Sequence, residues 1–335
     1  MNLPSYFAQF LAAIEPSPSC KEDQQKGHTT LRKRLAQDDE FGTIHVNTFL
    51  QGSYKRHTAV HPGKDVDIVV VTSLDPDTTA AATASARLEK CLKRYYPGKV
   101  NRQNRSLCVE LSYVTMDVVI AASRELRSQN ALVTLRTVDA LDDAASWKIQ
   151  PIQIPDRELQ KWVDTHPKKQ LEWTTDKNDA SEGCFVPLVK LFKWWRKEAY
   201  TTPTYPKSYP LERIAGEVFD QAKRDHAEGF VQLLRNIVSA YSSYAALNLV
   251  PTLPDPGVPT HNVLARVSPA DFKTFIAQMH TALATAEKAL ASTDREEGAA
   301  LWRQVFGAKF PAAPTAKAAF PPAPIRPPNR PAGFA

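Results

Sequence analysis

Three aspartates in apolar surroundings are the residues of this chain best suited to chemistry. Asp65 and Asp67 begin the run Asp-Val-Asp-Ile-Val-Val-Val, and Asp117 stands between Met116 and Val118. The alternation and the β-branched residues predict strands, so Asp65 and Asp67 point to the same sheet face. Neighbouring carboxylates repel each other and are costly to bury unless a cation lies between them. The pattern therefore predicts a site for divalent ions that assist phosphoryl transfer.

A glycine–serine pair lies upstream of the first two aspartates. The segment 48–51 reads as the end of a strand, and Gly52 and Ser53 follow it. A glycine lets the backbone approach a phosphate, and a hydroxyl adds a hydrogen-bond donor. We therefore expect Gln51, Gly52 and Ser53 to contact the phosphates of a nucleotide.

Each of these features also has an ordinary structural explanation. A Gly-Ser pair is usually a turn, and an Asp-x-Asp strand is more often a sheet edge with one solvated face. Asp117 could pair with an arginine inside the core. The order and spacing of all three features together favour the metal site.

The same order resembles the signature of the DNA polymerase β-like nucleotidyltransferases. The segments F-L-Q-G-S-Y-K-R-H-T-A-V and D-V-D-I-V-V-V resemble, more narrowly, the bacterial CD-NTases, over about residues 1–310. These are relatives of cyclic GMP-AMP synthase and oligoadenylate synthase. The resemblance implies an α/β + α fold: a polymerase β-like lobe with a mixed sheet, packed against a helical C-terminal lobe, with one cleft between them.

The resemblance also implies an activity. It is the synthesis of a cyclic di- or trinucleotide second messenger from NTPs, ATP among them, in antiphage defence. Asp65, Asp67 and Asp117 would hold two Mg²⁺ ions, with Mn²⁺ as a substitute. An RNA-end nucleotidyltransferase and an inert nucleotide-binding module are the alternatives. The complete set of aspartates argues against the inert module, and the lack of an appended RNA-binding motif or zinc-ligand spacing argues against the RNA enzyme.

The elements that position these residues follow from periodicity. The pattern predicts a mixed α/β lobe with N-terminal helices over 1–165, which the resemblance identifies as the nucleotidyltransferase core, a helical lobe over 166–310 and a tail over 311–335. In the first half we predict helices at 3–14, 19–35, 54–59 and 78–95 and strands at 42–50, 65–71 and 107–120. Ser19 is the expected cap of the second helix.

The strongest helical pattern of the second half is 185–198, in which three lysines share one face. Lys190, Lys193 and Lys197 recur at helical spacing beside an apolar face. A solvated lysine face is the plain interpretation. The resemblance implies instead that one lysine reaches the substrate phosphates, with Lys193 the first candidate and Lys190 the second.

The segment Lys-Ser-Tyr-Pro at 207–210 carries the next candidates. Ser208 is expected to cap a helix that begins at Pro210. The resemblance adds that Ser208 contacts the triphosphate and Tyr209 the nucleobase, and a tyrosine ring is a suitable stacking surface for a base. His261 stands where the family frequently has asparagine, so it is assigned no role.

Composition places few further limits on function. The 335 residues are 43% hydrophobic with a net charge of +6, which suits anionic ligands without indicating nucleic acid. The four cysteines have no metal-ligand spacing, and no apolar run is long enough for a membrane span. The N-terminus lacks the features of a secretion signal. We therefore expect a cytoplasmic protein that does not enter membranes.

The last segment differs from the rest. From Pro311 the chain contains eight prolines and three basic residues but no acid, which predicts a disordered tail. A linker remnant or a peptide ligand for a partner is the plain interpretation. Some operons of the family encode ubiquitin-transfer-like enzymes, so the resemblance also implies a partner that attaches the chain through the carboxylate of Ala335.

Overall fold

The computed structural model describes residues 1–124, 150–199, 205–222 and 225–313. In these ranges the helices are α1 (Pro4–Ile14), α2 (Pro18–Gln37), α3 (Gly52–Lys55), α4 (Ala81–Tyr95), α5 (Pro167–Ala180), α6 (Phe185–Ala199), α7 (Ser208–Glu217), α8 (His226–Ala246), α9 (Pro269–Ala291) and α10 (Arg295–Phe306). The strands are β1 (His45–Gln51), β2 (Asp65–Thr72), β3 (Val100–Arg102), β4 (Leu107–Glu110), β5 (Thr115–Ala121), β6 (Ile152–Asp156) and β7 (Lys161–Thr165).

The first lobe is built on a mixed five-stranded sheet with the order β1-β2-β5-β4-β3. The central pair, β2 and β5, is parallel, and the remaining neighbours are antiparallel. The hairpin β6–β7 continues from the end of β5 through a bridge between Ala122 and Gln153. The mixed sheet of the nucleotidyltransferase lobe is thus confirmed.

The two faces of β2 have different partners because side chains alternate along a strand. Val66, Ile68 and Val70 pack under α2 and α4, together with the even-numbered residues of β5. Val69 and Val71 face the other way, against β6. Asp65 and Asp67 have the same parity as Val69, so they lie on the face that is open to the second lobe.

The second lobe is helical, as predicted, and its core includes the first helix of the chain. Phe7 and Phe10 of α1 make edge-on and tilted ring contacts with Trp302 and Phe306 of α10 and with Phe310, which follows it. The apolar residues of α6 through α10 form one buried cluster with them. α1 therefore packs with the helical lobe, while the predicted domain bounds stay a prediction.

Most predicted elements are present, with shifted ends. The segment 107–120 forms two strands, and the predicted strand 42–50 begins only at His45, after a short 3₁₀ turn. The expected cap Ser19 is wrong: Ser17 caps α2, accepting a hydrogen bond from the Cys20 amide at 3.1 Å. The sequence patterns missed β3 and the β6–β7 hairpin.

None of the helices in the described ranges combines the length and the apolar composition needed to cross a bilayer.

Candidate active site

Asp67 and Asp117 lie side by side on the two parallel strands at the centre of the sheet. Their Cα atoms are register partners, and Asp65 precedes Asp67 by two residues on the same face of β2. Further along this face Val69 and Val119 are buried, so the aspartates lie where apolar packing gives way to the cleft. The structure therefore places the three predicted aspartates on one sheet face.

Burial and mutual repulsion disfavour the ionised form of these carboxyl groups. Burial, and then the Asp117 carboxylate, raise the pKa of Asp67 to about 6, although Arg56 opposes the rise. Burial also raises the pKa of Asp65. Burial and the charge of Asp65 raise the pKa of Asp117, whereas a hydrogen bond with Cys108 lowers it. A bound cation would reverse these shifts because it stabilises the ionised form.

One carboxylate oxygen of this group fits a metal ligand. Asp117 Oδ1 is buried and has no hydrogen-bond partner among the described residues. A buried acceptor without a donor is costly, and an oxygen of this kind is a ligand that Mg²⁺ prefers.

The aspartates do not form a closed ligand set by themselves. Within the described ranges, no three His, Cys, Asp or Glu side chains converge into a cluster that could hold a metal ion. Mg²⁺ is usually bound by one or two carboxylates, and substrate phosphates and water complete its shell. The geometry therefore fits an ion that arrives with a nucleotide better than a permanently caged one.

Gly52 is required by two features of the turn after β1. Its φ of +70° lies in the left-handed region, and a Cβ added there would overlap the Asp67 carboxylate. The residue before it, Gln51, is the register partner of Asp67. The turn thus approaches the carboxylates closely, and Ser53 follows in the single turn of α3, which the Arg56 amide closes on the Gly52 carbonyl at 3.1 Å.

An open cleft lies between the lobes at this point. The first lobe contributes Gln51, Gly52, Ser53, Asp67 and Asp117 to its lining. The second lobe contributes Ser208, Tyr209 and Glu212 of α7 and Gln170 of α5. The predicted residues of the Gly-Ser turn, two of the aspartates and the Ser-Tyr pair therefore meet in one cleft.

The serine of that pair does not cap its helix as expected. α7 already begins at Ser208, so the cap position falls on Lys207, whose side chain makes no capping hydrogen bond. The hydroxyl of Ser208 is thus not required to begin the helix. Ser208 remains exposed at the cleft.

Tyr209 is held at the cleft by a buried aspartate. Its hydroxyl donates to Asp255 Oδ2 at 2.8 Å, and Gln170 Nε2 donates to the same oxygen at 2.9 Å. The other oxygen of Asp255 accepts the backbone amides of Gly257 and Val258. Burial, followed by the charge of Asp255, raises the pKa of Tyr209, so the hydroxyl stays protonated. The side chain of His261 in this loop is exposed.

Of the three lysines of α6 only Lys197 is exposed, so they do not form one solvated face. Lys193 is buried, and its amine donates to Glu212 Oε1 at 3.0 Å and to the Thr58 carbonyl at 2.8 Å. Lys197 donates to the His61 carbonyl at 2.9 Å. Two of the three lysines thus fasten α6 to the segment that follows the Gly-Ser turn.

Lys190 has a different partner. It pairs with Glu15 at 2.6 Å, beyond the end of α1, and is not among the residues that line the cleft. Lys193 is likewise absent from that lining, and the phosphate contacts of both lysines stay predictions.

The polar lining residues that the sequence patterns missed include Arg56, Gln103 and Arg105. Arg56 stands one helical turn after Gly52, and Gln103 and Arg105 lie in the turn between β3 and β4. Arg56 belongs to the segment F-L-Q-G-S-Y-K-R-H-T-A-V, and a basic residue three positions after Ser53 was the signal that could have indicated a role in the cleft. Gln103 and Arg105 follow a strand that the pattern did not reveal. Ala335 lies outside the described residues.

Comparisons with known proteins agree with this architecture. The Second Messenger Oligonucleotide or Dinucleotide Synthetase domain matches residues 1–130. The cyclic AMP-AMP-GMP synthase of Enterobacter hormaechei is 37% identical over 93% of this chain and 92% of its own. The cyclic AMP-AMP-AMP synthase of an Acinetobacter species is 35% identical over 100% and 98%, respectively.

A solved structure shows the same fold. CdnC of Escherichia coli MS115-1 with ATP superposes with a TM-score of 0.69 at 18% identity, covering 92% of this chain and 99% of that one. The same protein has been solved in a complex with HORMA-deltaN, with a TM-score of 0.68 at 17% identity and coverage of 92% and 98%. On the strength of the full-length relatives, this chain belongs to the bacterial CD-NTase family of nucleotidyltransferases.

Proposed function

We propose that this protein joins NTPs into a cyclic oligonucleotide second messenger, as an antiphage signalling enzyme of the cytoplasm. The observation that carries the proposal is the pairing of Asp67 with Asp117 beside the Gly52 turn, inside a cleft closed by α7. Family membership agrees with it, because the full-length relatives are named as cyclic trinucleotide synthases. We extend their product class to this chain as a cyclic trinucleotide that contains AMP.

The residues of the first lobe are arranged to grip and align a triphosphate. The Gly52 backbone is free to approach phosphate oxygens because it carries no side chain, and the Ser53 hydroxyl would donate to them. Asp65, Asp67 and Asp117 would hold two Mg²⁺ ions, or Mn²⁺ in their place. When bound, these ions offset phosphate charge and promote ionisation of the attacking hydroxyl.

The second lobe supplies the contacts to base and phosphate. Tyr209, fixed by its hydrogen bond to Asp255, presents an aromatic face to the cleft for stacking on a nucleobase. Ser208 and Lys193 would close on the phosphates from α7 and α6. The transfer itself is attack of a ribose hydroxyl on an α-phosphate, with pyrophosphate as the leaving group, and alignment by both lobes lowers its barrier.

The decisive experiment is product analysis with the purified full-length protein. Incubation with all four NTPs and Mg²⁺ or Mn²⁺ should yield a small product that resists phosphatase, because a cyclic product has no terminal phosphate. Mass spectrometry would give its ring size and bases. A nuclease-sensitive product that forms only when an RNA primer is added would contradict the proposal and support an RNA-end enzyme.

Lys193 offers a test of the phosphate grip. We expect Lys193→Ala to raise the KM for NTP more than it lowers kcat, as for a residue that contributes mainly uniform binding. Steady-state kinetics with saturating Mg²⁺ would measure both constants. An unchanged KM would show that Lys193 serves only to join the lobes, through Glu212 and the Thr58 carbonyl.

We also propose partners that act outside the cleft. The complex of CdnC with HORMA-deltaN supports a regulatory partner, and the family resemblance supports a ubiquitin-transfer-like enzyme that acts on the tail.

Ala313 still packs against the helical core, so a truncation of the tail should begin after it. That variant should keep its synthetic activity in isolation and lose any covalent adduct formed in cells. Loss of activity in the isolated variant would contradict a partner-only role for the tail.

A further inference from the structure

A buried ionic network joins the two lobes beneath the cleft. Glu212 of α7 is 2% exposed, and its carboxylate accepts hydrogen bonds from Arg56 Nε at 2.9 Å, Thr58 Oγ1 at 2.9 Å and Lys193 Nζ at 3.0 Å. Arg56 and Thr58 follow the Gly-Ser turn of the first lobe, whereas Lys193 and Glu212 belong to the helical lobe. A carboxylate so deeply buried is stable only with such partners.

The network carries more positive than negative charge. Arg56 and Lys193 supply two cations, and Glu212 supplies one anion. Burial alone would raise the pKa of Glu212, but the adjacent Lys193 and Arg56 more than offset that effect and hold it below its usual value. Glu212 therefore stays ionised, and one surplus positive charge remains next to Asp67 and the cleft.

Arg56 is the cation of the network that lines the cleft. Its Nε is held by Glu212, and its guanidinium carbon lies 5.1 Å from the centre of the Tyr209 ring. Among the described residues, none accepts a hydrogen bond from its two terminal amines. A guanidinium has five N–H donors in one plane, so two fixed contacts orient it and leave the terminal donors for a ligand.

We propose that Arg56 is a further triphosphate-binding residue of this cleft and that Glu212 is the positioning residue that orients its guanidinium. The inference rests on the proposed function, since it requires an NTP in the cleft. A planar fork of donors suits phosphate oxygens, and a buried, pre-oriented arginine loses little conformational freedom on binding. Glu212 thereby couples the position of α7 to the position of Arg56.

Equilibrium binding separates this role from a general effect on the site. Titration calorimetry with a non-hydrolysable ATP analogue should show Arg56→Ala binding roughly 10- to 100-fold more weakly than wild type, the range of a charge-assisted contact. Binding of AMP should change less than about threefold, because the contact is to the outer phosphates. Arg56→Lys should recover only part of the loss, since it keeps the charge and loses the fork.

The control is an arginine in a similar ion pair away from the cleft. Arg235 of α8 donates through Nε to Glu287 of α9 at 2.7 Å, with both side chains half-exposed. Arg235→Ala should leave binding of both nucleotides unchanged. If Arg56→Ala binds the ATP analogue as wild type does, or loses ATP analogue and AMP equally, the proposal is overturned. If wild type itself fails to bind the analogue, the proposed function fails instead.

A double-mutant cycle tests the positioning role of Glu212. Glu212→Gln should weaken binding of the analogue when Arg56 is intact and should have no further effect when combined with Arg56→Ala, because Glu212 acts through Arg56. Additive losses would overturn the positioning role. Since removal of a buried charge threatens folding, Thr58→Val serves as a milder variant that removes only one donor to Glu212. Its loss should be a few-fold and should also vanish without Arg56, with circular dichroism confirming the fold of each variant.

Discussion

Replacement of both Asp65 and Asp67 by asparagine should abolish nucleotide transfer, with product falling below detection in the mass assay. Asparagine keeps the size of the side chain but removes the negative charge that would hold the metal ions beside the nucleotide. Loss of a group that acts on the reacting phosphate typically costs several orders of magnitude in kcat. Normal product formation by the double variant would refute the assignment of the site.

The stability of the single variant Asp67→Asn provides the control for misfolding. The pKa of Asp67 is raised from 3.8 to about 6, so ionisation opposes folding and the penalty is complete above that pH. Without added metal, Asp67→Asn should therefore melt at or above the wild-type temperature at about pH 8. The difference should shrink as the pH falls through about 6, because the wild-type carboxyl is then protonated in the folded state. A lower melting temperature at high pH would show instead that the variant disrupts the structure.

Gly52→Ala should reduce transfer by roughly 100-fold or more, the cost of displacing an aligned catalytic group by about an ångström. The added Cβ would overlap the Asp67 carboxylate, so either the turn or the carboxylate must move. The positive φ adds strain of about 1–2 kcal/mol for any residue with a side chain. Initial rates and thermal melting of the same preparation would separate the two effects.

Gly98 is a matched control for the strain alone. It has the same φ of +70°, and nothing lies within 4 Å of the position that its Cβ would occupy. Gly98→Ala should therefore lose a similar amount of stability and keep nearly full activity. If both variants lose activity equally, the collision with Asp67 is not the cause, and the close approach of the Gly-Ser turn is not essential.

The local features of the site were predictable because they depend on neighbours in sequence. Strand periodicity placed Asp65 and Asp67 on one face, and the register of β2 agrees. Gly52 stood at the end of a strand, where only a residue without a side chain permits the turn that the structure contains. The helix 185–198 was found from its apolar face to within one residue of α6.

The partners of side chains were decided by the tertiary structure. Helical spacing put Lys190, Lys193 and Lys197 on one face of α6, which would be solvated in isolation. In the folded chain that face meets Glu15, Glu212 and backbone carbonyls, so two of the lysines are largely buried. The preference of a lysine for water or for a partner depends on what packs against its helix, and sequence spacing carries no information about that.

What the sequence by itself determined is the set of groups proposed for the chemistry and the side of each element on which they lie: the three aspartates, the Gly-Ser turn and the Ser-Tyr pair. Only the tertiary structure decided which of them meet. Asp117 faces Asp67 because β5 joins β2 in parallel, and Arg56 meets Glu212 across 156 residues of chain. Such contacts arise when two lobes bury their apolar faces and bring distant polar groups together. Each buried polar group then requires a partner, and the local sequence pattern does not identify that partner.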